Sequence, residues 1–384
     1  MKVLVLGASG VCGSVAVRHL CLSKGVDEVI AADLELGRVE KLAKRLVPEK
    51  IRTVRLDVRD VDALAEAMKE ADVVANATPY VFNLLVMEAA LRARRDLTDL
   101  GGMFYTTREQ LKMGPSFKEA GLTALIGCGL APGLADILAV KGSEHMDEVE
   151  AIHIYYGEVN YTPVLYKWSF RALLDELTLR PVIYRDGEFV DVPPLSGKEL
   201  FDFPEPVGTR LCVYSVYSGI ATLPNTVGKG VRLIEAKYGF SDTEKLETVF
   251  EALRTLGLLD EKPVKVGDIE VRPRDVLLAC APPAEPGIED AVSLVVIVEG
   301  RKDGDEVEAR YTLVQEFHRT WKVSALAYLT GIVLSIATQM LGSGAVEAKG
   351  VVSLEGAVKP DEFLKALKLE GVRVEEEVRV RRKL

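Results

Sequence analysis

The sequence predicts an α/β fold: an N-terminal doubly wound parallel sheet followed by a second, α+β domain built on a mixed sheet. Three observations predict it. Over the first 130 residues, short apolar runs alternate with helical patterns. The glycine-punctuated turn Gly7-Ala8-Ser9-Gly10-Val11-Cys12-Gly13 joins the first apolar run to the first helical pattern. After residues 129–134 the apolar runs lengthen and fill with aromatic and β-branched residues, which suit a pleated sheet. A chain of 384 residues has room for about two such cores.

Taken in order, the first-domain strands are expected at 2–6, 28–32, 53–57, 72–76, 96–99 and 123–126. Amphipathic segments such as 37–46 and 61–71 lie between them. Right-handed crossovers set the carboxyl ends of these strands along one edge, where such sheets bind ligands. In the second domain, strands are expected at 150–157, 210–218 and 231–238. Runs at 291–300 and 306–316 flank Asp303-Gly304, a tight-hairpin signal. Proline-rich stretches at 193–194, 204–206 and 282–286 read as loops. Residues 323–341 carry no charge over nearly the length of a membrane-spanning helix. Ser324, Tyr328, Thr330, Ser335, Thr338 and Gln339 within them favour a buried helix instead.

Composition excludes several classes of function. A net charge of -10 argues against nucleic acid or an anionic membrane as the main partner. The basic residues at 379–383 follow three glutamates and read as a solvated strand or tail. The chain opens directly on a strand pattern, so no secretory signal is expected. Five cysteines without a Cys-x-x-Cys, and four scattered histidines, point to reduced thiols, a cytoplasmic location and no metal site. Scarce Asn and Gln amid abundant Glu, Lys and Arg hint at a thermophilic source.

The residues expected to hold a cofactor cluster at strand ends. Gly7 permits the sharp turn, Gly10 lets backbone approach a pyrophosphate, and Gly13 lets helix and strand pack closely. Ser9, Val11 and Cys12 complete the loop, with the phosphates on the free N–H groups of the helix. Asp33, 20 residues past Gly13 and followed by Leu34, is placed to accept the adenosine ribose hydroxyls, or to cap a helix. Its carboxylate would repel a 2′-phosphate, which favours NAD over NADP; Arg38 would soften that preference. Asp57 and Val58 close the third strand near the adenine edge, and Asn76-Ala77-Thr78 close the fourth near ribose and nicotinamide. Ordinary strand-end turns are the alternative reading at both places.

Together, the turn at 7–13, Asp33, Asn76-Ala77, Asp99-Leu100-Gly101-Gly102 and Ala131-Pro132-Gly133 resemble the saccharopine dehydrogenase-like family. Arg272-Pro273-Arg274-Asp275-Val276-Leu277-Leu278 and Gly300-Arg301-Lys302-Asp303-Gly304 add to the likeness, which is greatest to the lysine 6-dehydrogenase branch. The resemblance implies a Rossmann domain over residues 1–125 and 322–384, with the apolar helix returning to it. It also implies a substrate and dimerisation domain over 126–321, a homodimer, and a small amino acid or amine as substrate. The expected reaction is NAD-dependent oxidation of an amine, with lysine's ε-amine first. The NADPH-dependent saccharopine and carboxynorspermidine reductases are the alternative, and Asp33 and Ala131 lean away from them. Segments 163–171 and 218–224, which would choose the substrate, depart from the family pattern.

Amine oxidation needs a neutral amine. A lysine ammonium with pKa about 10.4 costs roughly 4–5 kcal/mol to neutralise at pH 7, so a base or an apolar pocket is required. Asp99 is the leading candidate to orient or deprotonate it; capping the Gly101-Gly102 turn is the competing reading. Tyr161, Lys167, Trp168 and Arg171 are candidate substrate contacts, while His153 and His318 read as plain strand residues. A short-chain dehydrogenase needs Tyr-x-x-x-Lys, which none of the twelve tyrosines supplies. A thioester mechanism through Cys128 lacks a neighbouring polar activator. A dinucleotide-sensing protein without turnover is the reading from another class.

Overall fold

The computed structural model describes residues 1–46, 48–162 and 164–382. Pro163, at the head of segment 163–171, and Lys383, at the end of the basic 379–383 stretch, lie outside the described residues. The first six strands are β1 (Lys2–Leu6), β2 (Glu28–Asp33), β3 (Ile51–Arg55), β4 (Val73–Asn76), β5 (Asp96–Asp99) and β6 (Thr123–Ile126). They pair in parallel in the order β3-β2-β1-β4-β5-β6, and a seventh parallel strand, Gly350–Ser353, adds beyond β6. This is the doubly wound order whose reversal beside the first strand opens a crevice for a dinucleotide. β1 can be Lys-Val-Leu-Val-Leu because both its faces are covered. Val3 and Val5 join a core that includes the helix Val11–Leu22, and Leu4 and Leu6 join a second core with Leu64, Met68 and Val86. The third strand begins two residues earlier than its apolar run suggests. Asp57 accepts the backbone N–H of Arg59 at 3.0 Å, and that local turn ends the strand.

The second sheet is mixed, as expected. Its strands are β7 (Glu148–Asn160), β8 (Val182–Arg185), β9 (Glu188–Asp191), β10 (Glu199–Asp202), β11 (Thr209–Tyr214) and β12 (Leu233–Gly239). After a small outlying hairpin, β13 (Val264–Val266) and β14 (Ile269–Val271), come the long β15 (Asp290–Lys302) and β16 (Asp305–Glu316). β12 runs parallel to β7, whereas β7–β15 and β15–β16 are antiparallel. Asp303 and Gly304 both take positive φ, 52° and 88°, as a two-residue hairpin turn demands. The strand expected over 210–218 stops at Tyr214; the chain bends at Ser215 and forms a short 3₁₀ turn, Ser218–Ala221.

The uncharged segment is the helix Ala325–Gly342, 72% buried inside the fold. It lies against the helix Val11–Leu22 and over β4 and β5. Its polar groups are matched pairwise: Ser335 Oγ lies 2.8 Å from His19 Nδ1, Thr338 Oγ1 lies 2.7 Å from Thr98 Oγ1, and the Tyr328 hydroxyl donates to Glu370 O at 2.7 Å. The chain then adds β17 (Gly350–Ser353) to the first sheet and β18 (Val374–Arg381) to the second, antiparallel to β16. The closing strand therefore departs from the expected grouping of 322–384 with the first domain. The apolar core on the Val3 and Val5 side runs without a break into Val292, Leu294 and Val296 of β15, so the two sheets share a wall.

Helix-to-helix contact at this wall needs a residue without a side chain. A Cβ on Gly331 would fall 2.6 Å from Val15 Cβ and 2.7 Å from Cys12 O. Gly331→Leu is expected to lower the free energy of unfolding by about 1–3 kcal/mol through overpacking. Denaturant titration checks this, and an unchanged midpoint would show that the wall can open at no cost.

Candidate active site

The glycine turn has the geometry of an anion cradle. Gly7 adopts φ +70°, and a Cβ there would stand 2.8 Å from Ala77 O. The Gly10 N–H donates to Gly7 O at 3.0 Å, and a Cβ on Gly13 would meet that same oxygen at 2.1 Å. Only glycine at 13 allows the helix Val11–Leu22 to sit so close to β1. That helix begins with no side-chain cap and no acid in its first turn. Its leading N–H groups and positive dipole end therefore face the cleft, where Gly10, Val11 and Cys12 form the lining. These features fit a dinucleotide pyrophosphate.

Asp33 stands beside this turn at the end of β2. Its Oδ2 accepts the Ser9 N–H at 2.9 Å and the Ser9 hydroxyl at 2.8 Å, and its Oδ1 accepts the Glu35 N–H at 3.2 Å. Ser9 thus aims Asp33, and the helix cap proper is Glu35. Leu34 is exposed at the same rim. Asp57 and Val58 lie on the same edge but outside the cleft lining, and the Asp57 carboxyl is taken up by Arg59. That side-chain bond and the Arg59 backbone N–H hold its pKa down at about 2.

The cleft has a volume of about 690 Å³. Thr78, Tyr80 and Gly101 form its floor at the carboxyl ends of the first sheet's strands; Tyr156, Trp168, Arg171 and Tyr238 face them from the second domain. Ala77 and Thr78 line the cleft. Asn76 does not: it is fully buried, its amide donates to Asn83 Oδ1 at 3.0 Å, and its carbonyl accepts from Thr78 N and Oγ1. It shapes the turn instead of facing a ligand.

Asp99 requires a larger correction. It has no exposed surface and lies outside the lining. One carboxylate oxygen accepts the N–H of Gly101 at 2.7 Å and of Gly127 at 3.0 Å; the other accepts Gln110 Nε2 at 2.5 Å. Burial raises its pKa, and those three donors oppose the rise. Asp99 is a positioning residue that ties the Gly101 loop to the loop after β6. Gly101 itself does line the cleft, at φ +89° and with no room for a Cβ beside Pro132.

Two of the four candidate substrate contacts also fall elsewhere. Tyr161 is 53% exposed and outside the lining. Lys167 is 1% exposed and lies 2.8 Å from both Glu158 Oε2 and Asp290 Oδ2. Burial works to lower its pKa, but the two carboxylates outweigh that and raise it. Asp290 Oδ1 in turn accepts the Ala325 N–H at 2.6 Å, so this buried knot holds the start of the returning helix. Trp168 and Arg171, by contrast, line the cleft.

Residues not anticipated complete the wall. The Tyr80 hydroxyl donates to Asp175 Oδ2 at 2.6 Å, and Arg274 grips the other oxygen of Asp175. Glu176, next in the chain, lines the cleft and accepts the Val216 N–H at 3.3 Å. Burial pushes its pKa up to about 7 against hydrogen bonds from Ser215 and Val216. Tyr217 lines the cleft and donates to Asp136 Oδ1 at 2.5 Å, and Asp136 also accepts the Gly133 N–H. Burial pushes the Cys12 thiol up to about 12, and Cys128 is fully buried with its pKa well above the usual thiol range.

Comparison with known proteins decides the family. Residues 3–125 match the saccharopine dehydrogenase NADP binding domain, and residues 129–372 match the saccharopine dehydrogenase C-terminal domain. The chain belongs to the saccharopine dehydrogenase family. Membership makes it an oxidoreductase with a nicotinamide-dinucleotide domain. Within the family it is 26% identical to a carboxynorspermidine synthase from Vibrio alginolyticus, over 96% of this chain and 94% of that one. It is 24% identical to a carboxyaminopropylagmatine dehydrogenase from Synechocystis, over 95% of each. A solved apo saccharopine dehydrogenase (L-Glu forming) from Saccharomyces cerevisiae shares the fold at TM-score 0.74 and 21% identity, covering 98% of this chain and 99% of that one.

Two stability effects follow from these buried groups. Lys167→Met leaves Glu158 and Asp290 buried without their cation, and is expected to cost about 3–5 kcal/mol of folding free energy. Asp99→Asn replaces an acceptor with an NH₂ group and is expected to cost about 1–3 kcal/mol. Chemical denaturation measures both; an Asp99→Asn protein of unchanged stability but much reduced turnover would restore Asp99 to the chemistry.

Proposed function

We propose that this family member oxidises the carbon of an amino acid's amine with NAD as acceptor, and that the ε-amine of L-lysine is the first substrate to test. One observation carries the reading: a single cavity joins the glycine cradle to a wall of aromatic rings with Arg171 set among them. A primary amine on an apolar stem suits Tyr156, Trp168 and Tyr238, and Arg171 suits a carboxylate at the stem's other end. The turn at 7–13 would hold the pyrophosphate and Asp33 the adenosine ribose. Bound NAD supplies a hydride acceptor. Loss of hydride from the carbon beside nitrogen gives an imine, and hydrolysis releases ammonia and an aldehyde that cyclises when lysine is the source. The relatives named above, whose names include a synthase and a dehydrogenase of amines bearing carboxyl groups, support chemistry at a C–N bond.

A second reading runs in the reductive direction with NADPH. Arg38 favours it, because this cation lines the same cleft as the glycine turn. The matched family model, an NADP binding domain, favours it too. A cytoplasmic homodimer assembled through the second sheet belongs to either reading.

Incubation with NAD or NADP and a panel of amines, followed by the absorbance of the reduced nicotinamide, tests the first. Lysine with NAD is expected to give the largest kcat/KM, at least tenfold above lysine with NADP. Asp33→Ser is expected to shift the NAD/NADP ratio toward NADP by about tenfold, roughly 1.4 kcal/mol. Turnover confined to NADP would favour the reductive reading, and no turnover with any amine would overturn the first.

A further inference from the structure

Amine oxidation needs the substrate's ammonium group neutralised, by a base or by an apolar pocket, and Asp99 is sealed away from the cleft. The titratable side chains that do line the cavity are few. Arg38, Arg171 and Lys237 have no acceptor site, and Lys237 is already paired with Glu199 at 2.8 Å. The hydroxyls of Tyr80, Tyr156, Tyr166, Tyr217 and Tyr238 all have their pKa raised by burial, so they stay neutral. The Cys12 thiol is pushed up to about 12. Among the described residues lining the cleft there is no histidine and no aspartate, and one glutamate.

We infer that Glu176 is the base that takes the proton from the substrate's ammonium group. This rests on the reading of the cleft as a site of C–N oxidation. Glu176 sits on the helix Phe170–Thr178, whose N-terminus Ser169 caps by accepting the Ala172 N–H. The Val216 N–H holds one of its oxygens, which fixes the carboxyl in the wall between the two domains. The charged and titratable groups around it are Asp175 on its own helix and Tyr238 on β12, with Ser215 beside Val216 as a hydrogen-bond donor. Asp175 is bound by Arg274 and Tyr80, and it adds to the rise in the Glu176 pKa toward 7. A carboxyl poised there accepts a proton near neutral pH far better than an exposed one.

The step balances. The Glu176 carboxylate takes one proton from R–NH₃⁺, leaving R–NH₂ and a carboxylic acid. The hydride then leaves the adjacent carbon for the oxidised dinucleotide, and the nitrogen lone pair closes the C=N bond as an iminium. The carboxylic acid returns its proton to water once the product leaves. Because the ionised carboxylate is the active form, kcat/KM is expected to climb with pH through about 7.

Glu176→Gln keeps the shape and can still accept from Val216. It is expected to lower kcat/KM for the best amine by 10²–10⁴-fold at pH 7 and to abolish the acidic limb of the pH profile. The dissociation constant for NAD should stay within about twofold, and Glu176→Asp should recover part of the rate. In the wild-type protein without cofactor, a ¹³C-carboxyl titration should give Glu176 a midpoint near 7. A Gln variant within tenfold of wild type, a persisting acidic limb, or a midpoint near 4 would overturn the role of Glu176 alone. A wild-type enzyme that binds NAD yet turns over no amine would instead overturn the reading beneath it.

Discussion

The helix Val11–Leu22 is pinned from two sides by glycines, and the position of everything in the cleft follows from that. On one side Gly13 lies so close to the Gly7 carbonyl that any β-carbon would collide with it. On the other, Gly331 lets the returning helix press against Val15 and the Cys12 carbonyl. The start of the helix, with its uncapped N–H groups, therefore points at a defined place between the sheets. Close packing of this kind tolerates little displacement, because interiors are filled to the density of organic crystals.

The facing wall is held by charge instead of by small residues. Lys167, Glu158 and Asp290 form a buried knot, and Asp290 also receives the first N–H of the returning helix. Tyr238 donates its hydroxyl to Glu158 at 2.8 Å, and its ring stacks on Phe240 and Trp168. The aromatic lining of the cleft is thus tied to the same network that seats the helix behind the cofactor loop. Such a wall presents flat aromatic surface to the cleft.

Much of the first domain could be read from the chain. Four-residue apolar runs covered on both faces, and glycines spaced by two residues, are local signals, and the structure follows them closely. The turn residues Gly10, Val11, Cys12, Ala77, Thr78 and Gly101 were equally legible, because strand ends of a doubly wound sheet converge by topology. Asp99 and Lys167 misled for a shared reason. Each is a charged residue buried with at least one partner from a distant segment: Gly127 for Asp99, Asp290 for Lys167. Sequence shows the charge but not the burial that consumes it. Glu176 was invisible for the converse reason. It lies in an ordinary amphipathic helix, and what sets it apart is a backbone N–H from Val216, forty residues away. The strand overrun to residue 218 has the same origin, since the chain leaves β11 at Ser215 and Val216 turns to meet that carboxylate.

The course of the chain through the two sheets has a consequence for how the molecule is made. β17 finishes the first sheet and β18 finishes the second, so both depend on residues 350–381. During synthesis each sheet waits with an unpaired edge, that of β6 on one and that of β16 on the other. The last strand of each sheet is thus among the last parts of the chain to be made, and the edges of β6 and β16 stay open until then.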